Sequence, residues 1–336
     1  MEIDFQHCQS AHCENGVISN LLRHNNIHIS EPMVFGIGSG LFFVYLPFIK
    51  VNHNPTASFR TLPGAIFKHT ASRLKIKIKR QKFASKKKAM TALDKTLETG
   101  QPVGLQVGAY HLSYFPPAYR FHFNAHNVVV YGKKDDRYLI SDPVMEHPTF
   151  LTSEELVRVR FAKGAFAPNG HMYYPIINDH EEIDFKTAIK KGIKKTCREM
   201  LQFPIPIAGV KGIRFFSKQV KKWLSKHGSE TAALYLGQMV RMQEEIGTGG
   251  GGFRFIYAAF LQEAGEFLKM KMLDDLSEEM TQAGDLWRDF AITAVRIYKK
   301  RCSSDQQKFD QAADKLLTIA DSEESIFKKL AKLRFD

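Results

Sequence analysis

The sequence changes character near residue 184, and this change restricts the choice of fold more than any other feature. Before it, short apolar runs alternate with turn-forming residues, which is typical of strands mixed with helices. After it, apolar residues recur at helical spacing over long stretches. We therefore predict an α+β domain at residues 1–178 and a mostly α-helical domain at residues 179–336. The predicted helices of the second domain cover 185–200, 216–226, 230–246, 253–270, 273–302 and 305–333.

The first domain has its own order of helices and strands. Apolar spacing predicts a helix over 15–22 with Ser10 as its N-cap, and another over 86–99 that ends at Gly100. A polar turn at 133–136 joins the last two of the apolar runs that read as strands, which is typical of a hairpin. These runs cover 41–45, 103–107, 127–131 and 138–141.

The overall composition is that of an ordinary soluble globular protein. Of the 336 residues, 44% are hydrophobic and 25% are charged. No apolar run approaches the roughly 18 residues that a membrane span needs, and the acidic start does not resemble a secretory signal, so we expect a cytoplasmic protein. The pairs His7-Cys8 and His12-Cys13 suggest zinc, but no second pair follows them at the usual spacing. We therefore predict no metal site.

The net charge of +13 is concentrated in the basic segment Lys68–Lys95, which holds 11 Lys or Arg residues and one acid, Asp94. Such a segment is either a solvated surface or a docking surface for an acidic partner. Phe83 is its single aromatic residue, so it offers no platform for stacking bases and we expect no nucleic acid. An acidic carrier protein would use the same charge without aromatic residues.

Three residues have the order and spacing of a cysteine-dependent active site. Cys13 falls at the start of the first predicted helix, where the helix dipole favours a thiolate. His126 begins a predicted strand, and Asp142 ends the strand that returns antiparallel to it. This hairpin places a carboxylate beside the imidazole, as a base that serves a thiol requires. The alternatives are a buried structural cysteine, a strand-end histidine and a turn-capping aspartate.

Five segments resemble the butirosin biosynthesis protein H N-terminal family and the uncharacterised helical domain that commonly follows it. They are HCENG at 12–16, SEPMVFGIGSG at 30–40, FNAHNVVVYG at 123–132, YLISDP at 138–143 and GTGGGGFRFIY at 247–257. The third and fourth are also similar to the His–Asp hairpin of double-glycine leader peptidases, which are papain-like.

This resemblance implies a papain-like cysteine-protease fold and an acyltransferase of secondary-metabolite biosynthesis. The acyl group would pass from the phosphopantetheine arm of an acidic acyl carrier protein through Cys13 to an amine acceptor, with no cofactor of the enzyme's own. His126 would be the base and Asp142 the orienting acid. The chain departs from the family pattern at Val107–Tyr110, where an Asp often precedes the tyrosine, and this leaves the acceptor open.

Weaker candidates surround these three residues. Gln9 is a candidate second donor to an oxyanion hole, beside the Cys13 backbone N–H. Glu31 either orients the acceptor amine or caps a helix. Tyr110 and Tyr114 lie in a ring-rich segment that either lines an acyl pocket or packs in the core.

The glycine run at 249–252 is a further candidate, because bare backbone amides before a helix can bind an anion. It lacks the Gly-Lys-Ser/Thr ending of a nucleotide loop, so a flexible hinge is its simplest interpretation. The sharper hypothesis is that Gly250, Gly251 and Arg254 bind the phosphate of a pantetheine arm.

Two other functions compete with acyl transfer. The same chemistry serves a thioesterase or a peptidase, and a catalytically silent scaffold would keep the fold to present the basic segment. The sequence also leaves a homodimer open.

Overall fold

The computed structural model describes residues 1–51, 53–177, 183–302 and 304–335. The predicted domain boundary between residues 178 and 179 lies outside these described residues. The chain forms two compact units, of which the first contains Met1–Val34 and Thr70–Ile183. The second contains Phe35–His69 and Asp184–Asp336. The sequence pattern did not indicate that Phe35–His69 groups with the C-terminal helices.

Helices and strands alternate in the first half of the chain, and long helices follow. The helices are α1 (Cys13–His24), α2 (Glu31–Ile37), α3 (Ala65–Arg73), α4 (Lys86–Leu97), α5 (Ser153–Arg160), α6 (Phe185–Gln202), α7 (Gly209–Val240), α8 (Arg254–Leu268), α9 (Lys271–Tyr298) and α10 (Gln306–Ala331). The strands are β1 (Leu41–Val51), β2 (Asn54–Arg60), β3 (Lys77–Gln81), β4 (Val103–Val107), β5 (His126–Lys134), β6 (Arg137–Ser141), β7 (Thr149–Thr152) and β8 (Met172–Ile176).

The first unit is built on a six-stranded antiparallel sheet with the order β3-β8-β4-β5-β6-β7. Alternate residues of β4 and β5 point into one core, where leucines of α4 and α5 cover them. Helix α1 packs against β4, β5 and β8. With the helical C-terminal part, this sheet confirms the predicted α+β class.

Several elements of this unit were not anticipated from the sequence, among them β7, α5 and β8. Strand β8 lies between β3 and β4, in the interior of the sheet. It contains Pro175, which cannot donate to a ladder and therefore argues against a strand in sequence. Met172 and Tyr173, which precede Pro175 in the same strand, are buried. Their packing stabilises the strand, and the sequence pattern does not reveal it.

The second unit combines the β1–β2 hairpin with α6–α10. Helix α7 covers the helix predicted over 216–226 and the part of the helix predicted over 230–246 that ends at Val240, and it is interrupted between them at Gly228, whose φ is 74°. Trp287 is fully buried against the rings of Phe43 and Phe59, with centroids 5.6 and 5.2 Å away. This aromatic contact explains why the hairpin groups with the helices. Within the ranges described above, no helix is long and apolar enough to cross a membrane.

Candidate active site

Cys13 is the first residue of α1, and its side chain is buried. The N-cap is His12 rather than the predicted Ser10, and it supplies no side-chain cap. Glu31 takes over this task, because its two carboxylate oxygens accept hydrogen bonds from the N–H groups of Ala11 (2.9 Å) and His12 (2.7 Å). The first turn of α1 is therefore anchored by a carboxylate from α2.

Gly16 allows α1 to approach the end of β6 closely. A Cβ added at Gly16 would lie 2.5 Å from Cβ of Pro143 and 2.6 Å from Cβ of Ser10. The Ser10 N–H also donates to the Pro143 carbonyl at 2.6 Å. Because Pro143 follows Asp142 directly, these contacts bring the helix of Cys13 to the loop that carries the aspartate.

His126 and Asp142 are held together as the hairpin spacing predicted. Nε2 of His126 lies 2.7 Å from Oδ2 of Asp142, and both side chains are buried. With Nε2 engaged by the carboxylate, Nδ1 is the nitrogen left to face the Cys13 sulfur, which acts electrostatically on the same imidazole. The structure thus brings Cys13, His126 and Asp142 into one group.

The charges of this group favour a protonated imidazole. Burial alone would lower the pKa of His126, but the Asp142 carboxylate and the Cys13 sulfur outweigh it and raise the pKa to about 10. An imidazolium beside a sulfur stabilises the thiolate, which is the nucleophilic form of cysteine. The arrangement can therefore support nucleophilic attack on an acyl carbon.

Tyr114 lies against the candidate acid, and its role in lining an acyl pocket stays a prediction. Its hydroxyl donates to Oδ2 of Asp142 at 2.7 Å, so the side chain contacts the candidate orienting acid. Tyr110 stays 43% exposed and stacks on His122, with ring centroids 4.0 Å apart. Its role in binding a substrate remains a prediction.

Glu31 and Gln9 differ in how the structure constrains them. Both oxygens of Glu31 are used by backbone N–H groups before α1, which is the helix-capping alternative rather than a free acceptor for an amine. Burial raises the pKa of Glu31, and the N–H groups of Ala11 and His12 partly oppose this rise. Gln9 is exposed and precedes Ser10, whose backbone is fixed by Pro143. Its contribution to an oxyanion hole remains a prediction.

The phosphate hypothesis for the glycine run is wrong for Arg254. This side chain is fully buried and donates to Glu323 through Nε (2.7 Å) and Nη2 (2.9 Å), and to the Gly252 carbonyl through Nη1 (2.8 Å). A guanidinium that is already neutralised by a buried carboxylate cannot receive an external phosphate.

The amides of Gly250 and Gly251 are also occupied. The Gly250 N–H donates to Thr248 Oγ1 at 3.1 Å, and the Gly251 N–H donates to both oxygens of Glu244 at 3.2 Å. A carboxylate of the chain itself therefore takes the position predicted for a ligand anion. All four glycines at 249–252 have positive φ, a conformation that glycine adopts without strain.

Tyr173 and Asn127 form a buried hydrogen-bonded pair in the first unit that was not identified from the sequence. The Tyr173 hydroxyl donates to Oδ1 of Asn127 at 2.7 Å, and its ring covers Gly104 so closely that an added Cβ would lie 2.4 Å from it. Burial, and then the charges of Glu14 and Cys13, raise the pKa of Tyr173 well above its ordinary value. The signal was Gly104 within an apolar strand, since an isolated strand glycine marks a close approach.

No group of three or more His, Cys, Asp or Glu side chains is placed to hold a metal ion among the residues that the structure describes. Cys8 and Cys13 are both free thiols. His7 instead bonds to Ser141 Oγ through Nδ1 (2.8 Å) and to the Met145 carbonyl through Nε2 (3.2 Å), on either side of Asp142 in sequence.

Comparison with known proteins gives two family matches. Residues 12–143 match the N-terminal domain of butirosin biosynthesis protein H, and residues 154–330 match a domain of unknown function, DUF4872. No curated protein matches the sequence. A solved structure described as a C39-like peptidase from Bacillus anthracis is similar to 53% of this chain and 98% of its own, with 14% identity and a TM-score of 0.36. The two family matches confirm the resemblance inferred from the sequence.

The two matched domains do not coincide with the two structural units. The segment Phe35–His69 lies in the first match but belongs to the second unit. Helix α5 and strand β8 lie in the second match but belong to the first unit, where β8 joins β3 to β4. Each matched domain thus supplies a segment to the unit that the other mainly forms.

Proposed function

Because the chain belongs to the DUF4872 family and joins that domain to a butirosin biosynthesis protein H N-terminal domain, we propose that it is a cysteine-dependent acyltransferase. The observation that carries the proposal is the convergence of Cys13, His126 and Asp142 at the start of α1. A thiolate and an imidazolium held by a buried carboxylate are suited to acyl chemistry through a covalent intermediate.

In the first half of the proposed reaction, the Cys13 thiolate attacks the carbonyl carbon of a carrier-protein thioester. The new C–S bond forms as the bond to the pantetheine sulfur breaks, and the departing thiolate takes a proton from the His126 imidazolium. The backbone N–H of Cys13 has no acceptor within its own helix, so it can donate to the oxygen as negative charge develops there. Asp142 keeps the imidazole oriented throughout.

In the second half, an amine attacks the acyl group on Cys13. The new C–N bond forms and the C–S bond breaks, while neutral His126 removes the proton of the amine and the sulfur leaves as a thiolate. His126 then again carries a proton beside that thiolate, which restores the starting state. The acyl chain and the amine are left open by this scheme, which fixes only the reacting bonds.

Incubation with an acyl carrier protein thioester tests the proposal. We expect intact mass to show one acyl group on the wild-type chain, none on Cys13→Ala, and much slower acylation of His126→Ala. Cys8→Ala is the matched control, since it removes a neighbouring thiol and should acylate normally. Acyl transfer at the normal rate by Cys13→Ala would refute the mechanism.

The same assay separates the competing functions. Release of the free acid without an amine would indicate a thioesterase, and cleavage of added peptides would indicate a peptidase. A silent scaffold would leave Cys13 unreactive toward iodoacetamide near neutral pH. Each of these results would replace acyl transfer as the function.

An acidic carrier protein is the partner that we propose for the basic segment. Its exposed cations follow the edge strand β3 and the start of α4, although Lys68 itself belongs to the other unit. We call this surface the basic edge, and it consists of Lys77, Lys79, Arg80, Lys82, Lys86, Lys87 and Lys88. An exposed row of cations on an edge strand also prevents strand-to-strand aggregation, which is the alternative role.

Charge reversal distinguishes docking from that alternative. We expect Lys77→Glu with Lys82→Glu to slow acylation of Cys13 by the carrier protein about tenfold, and the effect should weaken at high salt. Lys191→Glu with Lys194→Glu, on exposed positions of α6, is the matched control for net charge. Equal rates for the two double variants would exclude the basic edge as the docking surface.

A further inference from the structure

Asp142 accepts hydrogen bonds from three donors that come from different parts of the first unit. His126 Nε2 and the Tyr114 hydroxyl both lie 2.7 Å from Oδ2, and the Val144 N–H lies 3.2 Å from Oδ1. The carboxylate is fully buried, so water does not replace a lost donor. Its charge and its orientation therefore depend on these partners.

The loop that carries Tyr114 contacts both the acid and the base. The Phe115 ring meets the His126 ring edge-on, with centroids 5.2 Å apart, while the neighbouring Tyr114 hydroxyl reaches Asp142. Burial, followed by the charge of Asp142, raises the pKa of Tyr114 well above its ordinary value. The hydroxyl thus keeps its proton and acts as a donor to the carboxylate at neutral pH.

We propose that Tyr114 is a positioning residue, whose hydroxyl holds the Asp142 carboxylate aimed at Nε2 of His126. The inference rests on the proposed function, because it assigns Tyr114 a part in the active site formed by Cys13, His126 and Asp142. The Tyr114 hydroxyl bonds to the carboxylate of Asp142. It acts through Asp142, in the way that outer partners hold a metal-binding histidine.

Titratable side chains reach the surroundings of Asp142 from several elements of the first unit. His126 faces it from β5 and Tyr114 from the loop after β4, while Cys13 of α1 acts on His126. His7, from the N-terminal segment, bonds to the adjacent Ser141. Of these groups, the Tyr114 hydroxyl and His126 Nε2 both bond to Oδ2 of Asp142. Loss of the hydroxyl therefore changes the oxygen that orients the imidazole. Without this charge-assisted hydrogen bond the carboxylate is held less firmly against Nε2, and the imidazolium is then less well paired with its countercharge.

Alkylation of Cys13 by iodoacetamide as a function of pH tests this proposal on the full chain. We expect Tyr114→Phe to move the acid limb of the rate profile upward by about one pH unit, the size of shift expected from one lost hydrogen bond to a charge. Tyr138→Phe is the matched control, because it removes a Tyr–Asp hydrogen bond of 2.6 Å to Asp94 in the same unit. The acid limb of the Tyr138→Phe profile should lie at the same pH as that of the wild type.

A second measurement uses Asp142→Asn as background. Since the asparagine cannot ionise, Tyr114→Phe should add no further shift to it. The proposal would be overturned by a Tyr114→Phe profile that superimposes on the wild type, by equal changes in the two tyrosine variants, or by an undiminished shift in the asparagine background. Alkylation needs no acyl donor, so a failure of acyl transfer with these shifts intact would refute the proposed function alone.

Discussion

Gly16 and Pro143 are in contact at the point where α1 meets the end of β6. A Cβ added to the glycine would come within 2.5 Å of Cβ of the proline, a separation that real side chains essentially never show. Cys13 lies one helical turn before Gly16, and Asp142 directly precedes Pro143. The contact therefore sets the distance between the helix of the nucleophile and the strand end of the acid.

Replacement of this glycine should displace the helix. We expect Gly16→Ala to destabilise the chain by about 1–3 kcal/mol, because the added methyl group overpacks a closed contact, and to slow alkylation of Cys13. Urea unfolding and the iodoacetamide rate measure the two effects. Gly100→Ala is the control, since its added Cβ meets nothing but its φ of +75° is strained. We expect Gly100→Ala to lose a similar amount of stability while Cys13 is alkylated at the normal rate. If Gly100→Ala also slowed alkylation, the slower rate of Gly16→Ala would not indicate a special role for Gly16.

Glu31 anchors the same turn of α1 from the other side. We expect Glu31→Gln to lose about 1–3 kcal/mol of stability, because the amide retains one acceptor for two backbone N–H groups, and to slow alkylation of Cys13. Ser85→Ala removes the N-cap of α4 in the same unit and should cost a similar amount without slowing Cys13. If both variants react normally, Glu31 stabilises the fold without positioning the nucleophile.

The raised pKa of His126 makes stability depend on pH. The pKa of His126 is about 10 in the folded chain and takes its ordinary value of 6.5 in the unfolded chain. The contribution to stability is therefore complete below the lower value and is lost as pH rises through the upper one. We expect the free energy of unfolding in urea to fall over this interval, and the fall to be smaller in His126→Gln. Parallel curves for the two proteins would contradict a raised pKa.

Arg254 should behave as a structural residue of the second unit. We expect Arg254→Met to cost about 3–5 kcal/mol, because it leaves the Glu323 carboxylate buried without its partner. Arg254→Met with Glu323→Gln should recover part of this loss, since the amide is neutral and still accepts from Trp287 Nε1. Chemical denaturation measures both variants. A stable Arg254→Met chain with weaker binding of the carrier protein would restore the phosphate hypothesis.

Local patterns were sufficient for most elements of the fold. The predicted strand at 103–107 has the bounds of β4, and the hairpin turn at 133–136 joins β5 to β6. Helix α4 ends at Leu97, two residues before the predicted end, and Gly100 closes the turn that follows with a φ of +75°. These features depend on neighbours in sequence, and they are therefore visible in the sequence itself.

The elements that the sequence did not predict depend on packing in the interior of the protein. β8 carries a proline and no regular alternation, and only its two neighbouring strands make it a strand. The sequence pattern assigns the segment Phe35–His69 to the first domain. In the structure, its Phe43 and Phe59 rings pack against Trp287 of the second unit. Contacts of this kind join residues that are far apart in the chain, so no local pattern records them.

The sequence alone determined which side chains can perform the chemistry. Cys13 at a helix start, and His126 and Asp142 across a hairpin, follow from short-range rules of helix and strand geometry. Only the tertiary structure decided what surrounds them. In the folded chain the Tyr114 hydroxyl donates to Asp142, and the Glu31 carboxylate accepts from a backbone N–H at the start of α1. The Glu323 carboxylate forms an ion pair with Arg254. The reason is physical, since a buried polar group must find a partner wherever the fold provides one.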